Sequence, residues 1–379
     1  MHLPNFNYKI ENIHQVDSPA LVAFPDRVKQ NIELAIKMVG DVQRLRPHVK
    51  THKSPDVAKL MMSAGITKFK CATIAEAEML GMCQAPDVVL AYQPTGPKLQ
   101  RFISVVKKYP ATQYACLTDN LAAAQAQADA FHAAQLEIPV FIDLNIGQNR
   151  TGIAPDDTAF QLYEACSKME GIRPVGFQAY DGHLRDIDIK IRTKNCNDAF
   201  KKVAALKAQV LSERTPTERR GGIEPIIIAG GSPTFPIHAK RKDVECSPGT
   251  FIYWDKGYSD ICLEQAFLPA ALLITRVISL PDATKLCLDL GHKSVASESD
   301  ITKRVVFLNA PDLIPLGQSE EHLVVEAGEN HTYKVGDVLY GLPYHICPTV
   351  ALFEKVFTVE KEKITGEWRT IARDRAITL

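Results

Sequence analysis

No run of apolar residues in the 379-residue sequence approaches the roughly 18 that a transmembrane helix needs. The N-terminal stretch MHLPNFNYKIENIHQ lacks the apolar core of a secretory leader, so the expectation is a cytoplasmic protein. Neither sign of charge is in excess: Lys plus Arg number 44 and Asp plus Glu number 44. That balance removes the global field that draws in nucleic acid or anionic membrane. No CxxC pair occurs. The nine cysteines (Cys71, Cys83, Cys116, Cys166, Cys196, Cys246, Cys262, Cys287, Cys347) are scattered and odd in number. They fit reduced thiols better than a disulfide framework or a zinc knuckle, and most read as core filler. There is no internal repeat and no low-complexity tract.

What is present is ordinary in bulk and informative in order. Hydrophobic residues make up 46% and charged ones 23%, enough for a sizeable core, and the length suggests two or three domains. Eight short β-rich runs alternate with amphipathic ones: 44–51, 68–73, 88–92, 113–118, 139–146, 173–180, 224–230 and 243–250. Helical spacing marks DVAKLMMSAG, AEAEMLGMC, PKLQRFISVVKKY, LAAAQAQADAFHAA and AFKKVAALKAQVLSE between them. Eight βα units predict a closed (β/α)8 TIM barrel over 26–258. The rival, a doubly wound sheet for a dinucleotide, is weakened because no GxGxxG follows the first strand. Beyond residue 258 the runs are strand-like with turns between them, which predicts an all-β domain over 259–379. The surplus strand ALVAF (20–24) is assigned to it, so that domain also takes 1–25, and the helix after it leads into the barrel.

In such a barrel, chemistry collects where strands end. Those points supply Lys50 and His52; Thr73; Asp143, Asn145 and Arg150; Gln178, Tyr180, Asp181 and His183; Gly230, Gly231 and Ser232; and Ser247, Gly249 and Thr250. A lysine ending a buried strand is costly unless paired or neutral, which is how Schiff-base lysines are made. Taken alone, Lys50 reads rather as a lysine snorkelling out at the strand's end. Gly-containing turns after the seventh and eighth strands, IAGGSPT and CSPGT, together suit phosphate. In YHICPTV, an extended chain turns His345 and Cys347 to one side, and Pro348 favours that geometry. Imidazole beside thiolate suits zinc, with open positions for water or substrate.

PHVKTHKSP, IGQNRTG, AGGSPT, SPGT and HICPT occur in an order that resembles the D-threonine aldolase and D-serine dehydratase family. These are pyridoxal-phosphate enzymes with the alanine-racemase-like fold. The resemblance implies pyridoxal 5′-phosphate carried on Lys50, Arg150 near its phenolic oxygen, and Gln178 and Tyr180 against its ring. It further implies that Gly231, Ser232, Gly249 and Thr250 hold the phosphate. His345 and Cys347 would ligate a divalent metal, zinc or manganese, with His52 and His183 as further candidate catalytic groups. The implied substrate is a small D-3-hydroxy amino acid, and the implied assembly a homodimer. Loop strings such as YDGH favour D-threonine aldolase chemistry, retro-aldol cleavage to glycine and an aldehyde. His-x-Cys in place of His-x-Asp keeps D-serine or D-3-hydroxyaspartate dehydratase as the alternative. A racemase lacks its tyrosine base here, and a non-catalytic pyridoxal-phosphate carrier would lack the β domain.

Overall fold

The computed structural model describes residues 8–213 and 224–379, so residues 1–7 of the segment expected in the β domain lie outside it. The chain divides into a barrel unit (Ala35–Lys50, Ala58–Gly249, Asp374–Leu379) and a β unit (Met1–Leu34, Thr51–Val57, Thr250–Arg373). Among the described residues, no helix is long and apolar enough to cross a membrane.

After β1 (Ala20–Ala23) and α1 (Pro25–Val39), helices and strands alternate. They run α2 (Pro55–Ser63), β2 (Lys68–Cys71), α3 (Ile74–Met82), β3 (Asp87–Leu90), α4 (Pro97–Lys108), β4 (Gln113–Thr118) and α5 (Leu121–Ala133). They continue with β5 (Ile138–Leu144), α6 (Asp157–Ser167), β6 (Ile172–Ala179), α7 (Ile189–Glu213), β7 (Ile226–Ala229), α8 (Phe235–His238) and β8 (Val244–Cys246). β2 to β8 pair in chain order, all parallel. Local signals set the helix starts. Thr73 caps α3 by accepting from Glu76 N, and Asn120 caps α5 by accepting from Ala122 N and Ala123 N.

The barrel sheet has seven strands rather than the expected eight. Residues 44–51, read from sequence as the first strand, form two 3₁₀ turns (Val42–Arg44 and Val49–Thr51) flanking two isolated bridges. Leu45 bridges to Cys246 of β8 and His48 to Lys70 of β2, so the segment reaches both edges of the sheet and occupies the eighth place. Arg46 N donates to Cys246 O and Lys70 N to Pro47 O, each at 2.9 Å. Pro47 has no N–H to extend a ladder, which is why an eighth strand does not form. Lys50 consequently sits in a helical turn, not on a strand end.

Inside the barrel, Val89, Ala115, Leu117, Phe141, Val175 and Ile228 form one apolar cluster. Towards the starts of the strands lies a charged layer. The Arg46 guanidinium donates to Asp87 at 2.6 and 3.0 Å and to Glu245 at 2.7 Å, and Lys68 Nζ pairs with the other Glu245 oxygen. Arg46 is 1% exposed, and its two carboxylates outweigh burial and push its pKa further up. Removing one partner of such a pair strands a buried charge. Glu245→Ala should therefore cost about 3 kcal/mol in denaturant unfolding, and a loss below about 0.5 kcal/mol would mean the layer is not structural.

The β unit holds α9 (Lys256–Ile261), β9 (Ala271–Ser279), β10 (Lys285–Leu288), β11 (Val305–Phe307), β12 (Ile314–Gln318), β13 (Leu323–Glu326), β14 (Val338–Pro343), α10 (Ile346–Ala351), β15 (Lys355–Glu360) and β16 (Lys363–Arg369). Its sheet runs β12-β13-β10-β9-β1-β15-β16, with β14 on β9 and β11 on β14. β1 pairs antiparallel with β9 and parallel with β15, so the early surplus strand belongs to this sheet. Val22, Leu272, Ile274, Leu342 and Val359 centre its core.

Candidate active site

The barrel unit opens into a cavity of about 570 Å³, within the usual range for a small-ligand site. Its wall includes Lys50, Lys70, Asp143, Arg150, Gln178 and Tyr180. The Tyr180 ring, one residue past β6, is surrounded by cations. Lys50 Nζ lies 5.7 Å, Lys70 Nζ 5.8 Å and Arg150 Cζ 5.3 Å from its centroid. Burial pushes the Asp143 carboxyl up to about 6, against the pull of a Thr151 hydrogen bond and the nearby cations. Gln178 is 3% exposed and its Oε1 has no hydrogen-bond partner among the described residues, leaving a buried acceptor at the cavity wall.

Arg150 is held by the turn that follows β5. Asn145 Oδ1 accepts from Gly147 N (3.1 Å) and Asn149 N (3.0 Å), and Asp119 Oδ2 accepts from Gly152 N (2.8 Å). Gly152 has φ +96°, and a Cβ there would stand 2.6 Å from Asn145 N. Gly152→Ala should cost about 1–3 kcal/mol of stability through that strain. It should also weaken uptake of the cavity's ligand by displacing Arg150. Wild-type melting and ligand titration for this variant would contradict the placement.

The turn after β7 abuts the same ring, since a Cβ on Gly231 would lie 3.0 Å from Tyr180 Cε2. Thr234 Oγ1 donates to Asp181 Oδ1 at 2.6 Å and accepts from Gly231 N at 3.2 Å. His238 Nε2 donates to Asp181 Oδ2 at 2.8 Å. Asp181 thus braces the loop that carries Gly230, Gly231 and the buried Ser232. Gly249 ends the barrel unit after β8, whereas Thr250 belongs to the β unit.

The two candidate histidines fall differently. His183 packs its Nε2 against Gly147, where a Cβ would lie 2.7 Å away, and its Nδ1 is buried with no partner among the described residues. His52 is 1% exposed in the β unit, with Nδ1 accepting from Ser54 N at 3.1 Å. Burial lowers its pKa to about 3, so it is a neutral group at working pH.

The extended geometry expected for His345-Ile-Cys347 does not occur. His345 is extended (φ −135°, ψ 96°) and caps α10, and Cys347 lies in that helix's first turn. Pro348 explains the difference: the first turn of a helix tolerates proline because its N–H would be unbonded anyway. The pair still meets other groups of the β unit. His345 Nδ1 donates to Glu298 Oε1 at 2.5 Å, while Cys347 Sγ lies 3.0 Å from Thr51 Oγ1 and 3.5 Å from Thr250 Oγ1. Burial alone would lower the His345 pKa, but the Cys347 sulfur and Glu298 outweigh it and raise it to about 9. A carboxylate on Nδ1–H fixes the ring, the arrangement usual behind a metal-bound histidine, and a second side-chain hydrogen bond joins His345 to Cys347.

Among the described residues, Asp181, Cys196 and His238 also bring three ligand-type atoms within 4.8 Å. That cluster is already satisfied as a hydrogen-bond network, and Arg241 Nη1 stands 2.8 Å from His238 Nδ1, where it opposes a cation. Burial pushes the Cys196 thiol up to about 12, so without a cation it stays protonated. None of the nine cysteines is in a disulfide among the described residues, and six of them are buried. Sequence reasoning missed Lys70 and Glu298. For Lys70 a signal existed, two lysines spaced by two in a strand expected to be buried on both faces.

Fold and cavity together define a class: a βα-barrel enzyme with a lysine-lined, cation-rich cavity, followed in the chain by a β unit carrying an imidazole and a thiol. The chain belongs to the alanine racemase N-terminal domain family, which matches residues 25–255, and a serine dehydratase domain matches residues 270–359. It is 25% identical to a D-threonine aldolase from Arthrobacter sp., covering 95% of this chain and 93% of that one. It is 26% identical to a D-threo-3-hydroxyaspartate dehydratase from Delftia sp., covering 94% and 97%. The crystal structure of D-threonine aldolase from Filomicrobium marinum superposes with a TM-score of 0.84 at 24% identity, over 98% of this chain and 99% of that one, a likeness of fold.

Proposed function

We propose that this protein is a pyridoxal-phosphate- and metal-dependent lyase of D-3-hydroxy amino acids, cleaving them to glycine and an aldehyde. The observation that carries the reading is the convergence of Lys50, Arg150 and Tyr180 on one cavity of small-ligand size. The cavity suits a planar, anionic aldehyde: an amine to hold the carbonyl, a guanidinium for an anionic oxygen, an aromatic face, and a braced glycine turn beside that face. When bound, pyridoxal phosphate supplies an electron sink for charge at the substrate's Cα, and a divalent metal a Lewis acid for its β-hydroxyl.

The chain's own residues do the rest. Lys50 binds the cofactor and holds the proton exchanged at Cα. Arg150, pinned by the Asn145 turn, keeps positive charge over the cavity, and Gln178 Oε1 offers an acceptor at its wall. Glu298 orients His345, and Cys347 supplies the soft donor, a set that suits zinc, with manganese as the rival. A cytoplasmic homodimer completes the reading.

One observation favours a second reading, dehydration to a 2-oxo acid and ammonia. A D-threo-3-hydroxyaspartate dehydratase has been solved as a histidine-to-alanine mutant and as a metal-free cysteine-to-alanine mutant, at positions two residues apart, the spacing of His345 and Cys347. Incubation with D-threonine and metal separates the two. Glycine with acetaldehyde supports the aldolase, and 2-oxobutanoate with ammonia the dehydratase. Turnover of neither D-threonine, D-serine nor 3-hydroxy-D-aspartate would contradict both.

A further inference from the structure

Strand β2 carries lysines at 68 and 70, which share one face of the strand, while Phe69 and Cys71 are buried on the other. Lys68 is satisfied by Glu245. Lys70, two residues nearer the strand's end, lines the cavity and is 2% exposed, yet no hydrogen bond or ion pair reaches its amine among the described residues. The charged and aromatic groups around it come from three parts of the barrel unit. Arg46, His48 and Lys50 come from the segment in the eighth place, Asp143 from β5, and Tyr180 and Asp181 from beyond β6. Burial dominates, and with Lys50 and Arg46 it outweighs the attraction of Asp143 and Asp181, lowering the Lys70 pKa to about 7. A desolvated lysine beside another cation is the setting in which an amine becomes a nucleophile towards carbonyls. Lys50, by comparison, is only half-buried.

We propose that Lys70 is a second carbonyl-binding amine of the cavity, able to take the aldehyde of pyridoxal phosphate in place of Lys50. This rests on the reading above that the cavity holds that cofactor. Lys70 Nζ adds to the aldehyde carbon, the aldehyde oxygen leaves as water with the two amine protons, and a carbon–nitrogen double bond remains. Nothing is oxidised or reduced in that condensation. Transfer from Lys50 to Lys70 exchanges one such bond for another and returns the Lys50 amine.

The test is borohydride reduction with pyridoxal phosphate, digestion and mass mapping, on wild type, Lys50→Ala and Lys50→Arg, each with and without Lys70→Met. Wild type should carry its label on Lys50. Lys50→Ala and Lys50→Arg should carry it on Lys70, and Lys70→Met should remove it. In Lys50→Arg, which keeps a cation beside Lys70 and so covers the case in which Lys50→Ala fails to fold, labelling should rise about tenfold from pH 6 to pH 8 as the amine loses its proton. Label on no residue of the Lys50 variants, or on another lysine such as Lys98, overturns the inference while leaving Lys50 as the cofactor's lysine. A wild type that takes label at neither lysine overturns the inference and the proposed function together.

Discussion

Lys50→Ala is expected to lower turnover of a D-3-hydroxy amino acid by about 10³-fold or more, because attachment and proton transfer vanish together. The fold should survive. Lys50 lies half-exposed in a 3₁₀ turn, and the two bridges that seat its segment involve Leu45 and His48 instead. The loss should persist even where Lys70 takes up the cofactor, since no amine then stands at position 50 to move the proton. Product formation and thermal unfolding measured on one preparation check this. Turnover within about tenfold of wild type, with the fold intact, would remove Lys50 from the mechanism.

Removing the metal should have the second-largest effect. Chelation is expected to cut turnover by about 10²-fold or more, the loss of a Lewis acid's contribution, and to move the thermal midpoint by less than about 3 °C. The reason is the donor set. A structural zinc closes four protein ligands, whereas among the described residues His345 and Cys347 are accompanied by the carboxylates of Glu298 and Asp255 and by two threonine hydroxyls of the β unit. Zn²⁺ or Mn²⁺ should restore activity, and Cys347→Ala should reproduce the chelated state. Cys347→Asp, a harder oxygen donor, should favour Mn²⁺ and raise the ratio of aldol cleavage to dehydration. Unfolding on chelation would make the site structural, and full activity in chelator would remove the metal altogether.

The barrel was legible because β2 to β8 are short apolar runs between amphipathic helices, a pattern that burial of a parallel sheet imposes. Its eighth place was misread. RLRPHVKT has the composition of a strand, but Pro47 leaves only two bridges, and no local pattern reveals that they reach opposite edges of one sheet. The same residue type misled at HICPT, where Pro348 favours the first turn of α10 over an extended chain. In the candidate site, Lys50, Arg150 and Tyr180 could be named from motifs. Lys70 carried only the signal of a second lysine in a buried strand, and that signal does not say which of the two lysines reaches the cavity. Lys68 and Lys70 look alike in sequence, and only the barrel interior gives one of them Glu245 and leaves the other facing the cavity.

The central claim is that this cavity holds pyridoxal phosphate on Lys50. Reduction of the wild-type protein with borohydride after incubation with pyridoxal phosphate, followed by peptide mass mapping, tests it most directly. The account predicts about one pyridoxyl group per chain, on the peptide containing Lys50. A protein that takes no covalent label, or takes it only on lysines outside the cavity, would contradict it.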